Sequence, residues 1–251
     1  MGSNSGFNFF RKIWHILGLI IPITLYLDPF SQSFGLLFAT RAILVTSLGV
    51  FLILLFLLEL VRLKHPGFES FFYTYFGFLM KESERKRFNG TVPYFFANFL
   101  VVLFFPPAVA ILSILFLVIG DPSAAYIGSK YGKHRFYNGK SREGILGFFI
   151  PAFLFSVITL YLISSEDPHH FLSVMGADGV EWKPIIIAFF GVFAACTTEF
   201  FANTTAKGLI DDNLLIPLVG AVTISVGSVF FLAGTPEPFL FSPMDLYQSI
   251  K

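Results

Sequence analysis

Asp121 follows a long uncharged run and opens the stretch Gly120-Asp121-Pro122-Ser123-Ala124-Ala125-Tyr126-Ile127-Gly128-Ser129-Lys130-Tyr131-Gly132-Lys133. A carboxylate at the end of a membrane-length apolar segment is costly, which makes it a functional candidate by default. If the helix continues past it, Asp121, Ala124 or Ala125, Gly128 and Gly132 share one face. Small residues there would let a ligand approach the backbone, or would let a neighbouring helix pack closely. The segment then runs into Lys133-His134-Arg135-Phe136-Tyr137-Asn138-Gly139-Lys140-Ser141-Arg142-Glu143-Gly144, a loop rich in glycine and basic residues. Backbone N–H groups freed by glycine, together with Lys and Arg, suit a phosphate-bearing ligand. Gly139-Lys140-Ser141 is not a P-loop, because the glycine that motif requires five positions earlier is His134 here.

Three other groups keep this segment company. Arg11 and His15 lie four apart, with Lys12 beside them, so Arg11 and His15 share a face at the start of the first apolar stretch. Glu199, Asn203 and Lys207 repeat at the same interval near the end of a later one. Asp211-Asp212-Asn213 follows and is expected to supply the N-cap of the last helix. Glu199 is a second intramembrane carboxylate, expected at the same membrane surface as Asp121. Two carboxylates beside a basic loop suit Mg²⁺, which binds through one or two carboxylates plus substrate phosphates, so Asp121 and Glu199 are the candidate metal ligands.

The elements that must position these groups are membrane helices. The chain of 251 residues is 55% hydrophobic and 13% charged, with mean hydropathy +0.74, whereas soluble domains carry about 25% charged residues. The reading is an all-α, polytopic, single domain over residues 1–251 with about seven spans. These are Phe9 to Leu27, Ala42 to Val61, two helices between Thr91 and Ile127, Gly144 to Ile163, Pro184 to Asn203 and Leu214 to Ala233. Pro66 to Met80 is short and aromatic, and is read as an interfacial or re-entrant helix. Pro106 and Pro107 break the Thr91 to Ile127 region into a hairpin. With that hairpin, fourteen basic residues, from Arg11 through Lys207, fall on one side. Only Arg41, Lys183 and Lys251 fall on the other, which makes the rich side cytoplasmic. The lone Cys196 cannot form an internal disulfide and is read as a packing residue. His169-His170 lies in an acidic loop on the far side and is read as solvated.

Taken together in their order, these pieces resemble the CTP-dependent lipid kinase family, which includes dolichol, phytol and CTP-using diacylglycerol kinases. The matching pieces are Arg11-Lys12 with His15, Gly120 to Ala125 through Gly128 and Gly132-Lys133, Lys140-Ser141 with Glu143-Gly144, Glu199, and Asp212-Asn213-Leu214 with Ile216-Pro217. The resemblance departs at Pro122, where some members carry threonine or another small polar residue. It implies transfer of the γ-phosphoryl group of CTP to the hydroxyl of a membrane lipid alcohol, a polyprenol or dolichol, a phytol-like isoprenoid or diacylglycerol, at a site facing the cytoplasm. Arg11, Lys12, Asp121 and Gly128 match the family's essential positions, and Lys133, Lys140 and Ser141 match its nucleotide-phosphate loop. The expected site is therefore Asp121, Arg11, Lys12 and Glu199 for catalysis. Gly128, Lys130, Gly132, Lys133, Lys140, Ser141 and Arg142, in a loop spanning about 120–144, are expected for nucleotide. His15, Glu143, Asn203, Asp212 and Asn213 are expected as support.

Two other functions compete. A phosphatidate cytidylyltransferase, related and also CTP-using, carries a histidine and two glycines near its terminal aspartates, and Asp211-Asp212-Asn213 has no such neighbour. A transporter of an anionic solute would hold its charges near the midplane in paired repeats, not gathered at one face. Neither class, nor the kinase, implies a nucleic-acid partner.

Overall fold

The computed structural model describes residues 13, 15–31, 33–80, 82–176, 179–232 and 240–250. Its helices are α1 (Ile20–Leu27), α2 (Ala39–Lys64), α3 (Pro66–Phe76), α4 (Thr91–Phe104), α5 (Pro107–Leu115), α6 (Asp121–Tyr131), α7 (Arg142–Glu166), α8 (Trp182–Phe201) and α9 (Asp212–Phe231). The only strands among the described residues form a two-residue antiparallel hairpin, Met175–Gly176 against Gly179–Val180. Five helices are long and apolar enough to cross a membrane: Ala39–Lys64, Pro107–Tyr131, Arg142–Glu166, Trp182–Phe201 and Asp212–Phe231. Two of the seven expected spans are shorter apolar helices, His15–Leu27 and Thr91–Phe104. The chain is an all-helical integral membrane protein.

The proline pair acts as the sequence predicts. α4 ends at Phe104, Phe105 and Pro106 are extended, and Pro107 starts α5 at a position where its missing N–H is not needed. The two helices form a hairpin, because Tyr94 near the start of α4 and Asp121 past the end of α5 both contact His15. A continuous helix would set those two residues about 40 Å apart. The carbonyls left at the end of α4 are met by Arg41, buried at 4% exposure. Its Nε donates to the Val102 carbonyl at 2.8 Å, and its guanidinium also donates to Phe105 and stacks on Phe241. Arg41 is thus a structural cap as well as a charge on the far side.

Between α5 and α6 the helix passes through one π-turn, Phe116–Gly120, and Asp121 follows it at once. Pro122 lacks a donor and would otherwise interrupt an α-helical ladder, so a wider turn at this point keeps Pro107–Tyr131 continuous. The face of small residues is taken by α7. A Cβ on Gly120 would meet the buried Phe148 ring at 2.6 Å, and one on Gly147 would meet Ile127 at 2.7 Å. Gly128 and Gly144 approach each other closely enough that a Cβ on either would lie 3.4–3.5 Å from the other's Cα. The glycine spacing that could have received a ligand is occupied by helix packing, because two helices cross tightly only where side chains are absent.

Candidate active site

His15, Tyr94 and Asp121 meet at one end of the bundle. His15 Nδ1 lies 3.3 Å from Asp121 Oδ2; the histidine side chain is buried and the aspartate retains 14% exposure. Tyr94, also buried, donates its hydroxyl to the His15 carbonyl at 3.1 Å, and the two rings sit 5.0 Å apart. Gly18 makes this possible, since a Cβ there would fall 1.5 Å from the Tyr94 hydroxyl oxygen. One turn further along α4, buried Asn98 donates to the Tyr94 carbonyl at 2.9 Å. Asp121 therefore presents one carboxylate, held by a histidine, at the rim of an otherwise packed interior.

A second cluster is built where α8 ends. The sequence predicts Glu199, Asn203 and Lys207 on one helical face, but α8 stops at Phe201 and the chain turns away. Lys207 instead sits in a left-handed turn at φ 54°, and Asn203 lies exposed in the connecting segment. The helix stops because a loop from elsewhere satisfies its last carbonyls. Lys140 Nζ pairs with Glu199 Oε1 at 2.8 Å and also donates to the Glu199 carbonyl, while Asn138 Nδ2 donates to the Phe200 carbonyl at 2.8 Å. Phe136 packs edge-on against Phe200. The loop itself is tight, with Gly139 at φ 79° and Phe136 N–H donating to the Lys140 carbonyl at 2.7 Å. His134 Nδ1 lies 2.8 Å from Glu143 Oε1 and the Arg135 guanidinium donates to the Gly139 and Gly128 carbonyls.

These contacts sort the expected site residues. Arg11 and Lys12 lie outside the described residues. Lys140 is committed to α8 and Glu143 to His134. Ser141 is buried and its hydroxyl oxygen accepts from Gly144 N–H at 3.1 Å, which makes it the N-cap of α7. Gly132 lies against Gly128 and Ser141, so neither glycine faces open space. Lys133 and Arg142 are exposed, with Arg142 over the Phe136 ring, and Lys130 is exposed beside the Tyr126 hydroxyl at 3.1 Å. Asp211 caps α9, accepting from Leu214 N–H and from the Asn213 amide at 2.8 Å, and leaves Asp212 half-buried. Asp121 and Asp212 both lie close enough to Glu199 to act on it electrostatically.

Tyr94, Gly18 and Asn138 were missed by sequence reasoning. A tyrosine hydroxyl inside an apolar helix needs a partner, and that rule alone could have singled out Tyr94. No group of three or more His, Cys, Asp or Glu side chains is arranged to hold a metal among the described residues. Two carboxylates completed by substrate phosphates still meet the requirement of Mg²⁺. On the far side, the His170 Nδ1 accepts from Leu172 N–H at 3.1 Å, and burial pushes its imidazole below the usual histidine range.

The Lys140–Glu199 pair has a measurable signature. Lys140→Met leaves a buried carboxylate beside Asp121 and Asp212, and is expected to destabilise the protein by about 2 kcal/mol, between exposed and fully buried pairs. Adding Glu199→Gln should recover part of that loss. Thermal unfolding of the two single variants and the double variant tests this, and additive effects would show that the two side chains are not coupled.

A helical bundle that carries a His15–Asp121 contact, a Lys140–Glu199 pair and an exposed basic loop at one end holds charges that a purely structural membrane bundle does not need. No family model and no solved structure matches the chain. Curated relatives do. The CTP-dependent diacylglycerol kinase 1 of Schizosaccharomyces pombe is 30% identical over 165 residues, 65% of this chain and 71% of the relative. The protein of the same description in Saccharomyces cerevisiae is 30% identical over 222 residues, 84% of this chain and 70% of the relative. An uncharacterized protein of Rickettsia prowazekii is 26% identical over 214 residues, covering 83% and 88%. The chain belongs to the CTP-dependent lipid kinase family, and is a phosphotransferase with an alcohol acceptor.

Proposed function

We propose that the protein transfers the γ-phosphoryl group of CTP to the hydroxyl of diacylglycerol at the cytoplasmic leaflet. The meeting of Asp121 with His15, next to Glu199 and the exposed cations of the 130–142 loop, carries this reading. The described names of the yeast relatives support diacylglycerol over a polyprenol or phytol-like acceptor. Phosphoryl transfer demands positioning and charge neutralisation more than covalent chemistry from the protein. Lys133, Lys130 and Arg142, together with Arg11 and Lys12, neutralise the triphosphate, while Lys140 fixes the loop to α8. Asp121, held by His15, orients the acceptor hydroxyl at the γ-phosphorus. The new P–O bond forms there as the bond to the β-phosphate oxygen breaks, CDP leaves, and the hydroxyl proton passes to the Asp121 carboxylate. Asp121 and Glu199 would hold a Mg²⁺ ion, which would offset phosphate charge.

Purified protein incubated with γ-labelled CTP, Mg²⁺ and a panel of diacylglycerol, dolichol and phytol is expected to label diacylglycerol alone. Label on no lipid, or equal label with Asp121→Ala, overturns the kinase reading. Pyrophosphate release with a CDP-lipid product selects a cytidylyltransferase instead.

A further inference from the structure

A polar cavity whose lining includes none of His15, Tyr94, Asp121 and Glu199 lies at the same end of the bundle. It measures about 810 Å³ and its walls include Arg62, Glu69, Glu82, Arg85, Lys86 and Lys207. Most of this charge is already spoken for. Arg62 is paired with Glu59, and Arg85 Nε bonds Glu69 Oε1 at 2.5 Å with Glu82 at 3.9 Å. Lys86 and Lys207 remain, both exposed, and no ion pair engages either among the described residues. The cavity thus offers two ammonium groups outside any ion pair, and because Glu69 and Glu82 share the single Arg85, the wall carries one net positive charge.

Lys207 is held there at a conformational cost. Ala206 and Lys207 both adopt positive φ, 49° and 54°, where L-residues are rare. The turn is retained because Phe88 N–H donates to the Lys207 carbonyl at 2.9 Å and Thr205 bridges Ile210. Gly208 at φ 97° completes it, since a Cβ there would strike the Phe88 carbonyl at 2.5 Å. Backbone strain of this kind persists where the surroundings over-determine it, and it gathers at ligand sites.

The level of the cavity names its ligand. Arg62 and Lys64 lie in the last turn of the spanning helix α2, and α3 starts at Pro66 immediately beyond. α3 has no buried residue and exposes Phe71, Tyr75 and Phe76, the composition of a helix lying at the membrane–water boundary. Tyr73 ties this helix to the cavity wall without lining it: Arg85 lies 4.9 Å over the Tyr73 ring, and Tyr73 donates to Glu82 at 3.0 Å. Two unpaired lysines next to a helix of interfacial composition match a phosphate that carries acyl chains.

We propose that this cavity binds the headgroup phosphate of an anionic membrane lipid through Lys86 and Lys207, as a site separate from the Asp121 centre. Native mass spectrometry of the detergent-solubilised full chain, titrated with phosphatidylglycerol, an anionic lipid that the proposed reaction neither consumes nor makes, reads binding apart from turnover and from product at the Asp121 centre. Each of Lys86→Ala and Lys207→Ala is expected to weaken phosphatidylglycerol binding about fivefold, and the pair together about 25-fold, as near-surface lysines at an anionic interface do. Lys207→Arg should bind as the parent does, and turnover of the double variant at saturating substrates should be retained. Unchanged phosphatidylglycerol affinity in the double variant overturns the proposal. So does displacement of the lipid by inorganic phosphate at equal concentration, which assigns the cavity to a soluble anion. Loss of CTP affinity instead of lipid affinity overturns it too, and assigns the cavity to the nucleotide.

Discussion

Asp121→Asn is expected to lower phosphoryl transfer about a thousandfold while the bundle stays folded. Asparagine has the same shape and can still accept from His15 Nδ1, now 3.3 Å from Oδ2, so neither α6 nor its packing against α7 should change. What disappears is the negative charge. That charge is retained at the end of a continuous apolar helix, 14% exposed, where an unneeded carboxylate would be a burden. Removing one electrostatic group that orients the reacting atoms typically costs a factor of about 10² to 10³ in turnover. If Asp121 also holds Mg²⁺, the loss lies at the upper end. The measurement is the initial rate of label transfer to diacylglycerol, with thermal unfolding of the same preparation as the control on folding. A rate within tenfold of the parent, at unchanged stability, would remove Asp121 from the site. His15→Gln tests the same contact from the other side, and its smaller expected loss, about tenfold, would place histidine in a positioning role.

The sequence signals that proved readable are those that act locally. A long uncharged run reads as a spanning helix whatever surrounds it, and the Pro106-Pro107 break follows from two rings that forbid helical continuation. The cap of α9 was narrowed to three residues, and Asp211 is the one that turns its carboxylate back onto Leu214 N–H. The intramembrane position of Asp121 and of Glu199 was evident from the apolar residues before them. What sequence could not supply is pairing across the fold. No local breaker marks the end of α8 at Phe201; its end is set by Lys140 and Asn138, some sixty positions earlier in the chain. For that reason the expected alignment of Glu199, Asn203 and Lys207 failed. The spacing of Gly120, Gly128 and Gly132 serves a ligand path and a helix seam equally well, and only the position of Phe148, Ser141 and Gly144 distinguishes them. Arg62 read as one more cytoplasmic charge because its partners, the carbonyls of 84–87, are brought to it by tertiary structure.

Those partners make Arg62→Ala the substitution with the largest expected cost in stability. Arg62 and Glu59 are fully buried, with 0% side-chain exposure on each, and join through two bonds of 2.7 and 2.8 Å. The same guanidinium donates to the carbonyls of Glu84, Arg85 and Arg87, and Glu59 Oε2 accepts from Asn89 N–H at 2.9 Å. One ion pair on α2 thus fastens the whole approach to α4. Truncating Arg62 strands a buried carboxylate and three carbonyls, and breaking such a pair from one side costs about 3–5 kcal/mol. For a chain of this length, that corresponds to a fall in Tm of roughly 10 °C. Glu59→Leu with Arg62→Met should lose less than either single truncation, because an apolar pair leaves no charge uncompensated. Activity should fall with stability in Arg62→Ala, since Tyr94, which holds His15, lies just beyond the fastened segment. Thermal unfolding in detergent resolves the outcome. A shift under about 2 °C for Arg62→Ala, equivalent to less than 1 kcal/mol, would mean that the 84–89 segment is held by its own turns, and that the buried pair does not connect α2 to the site.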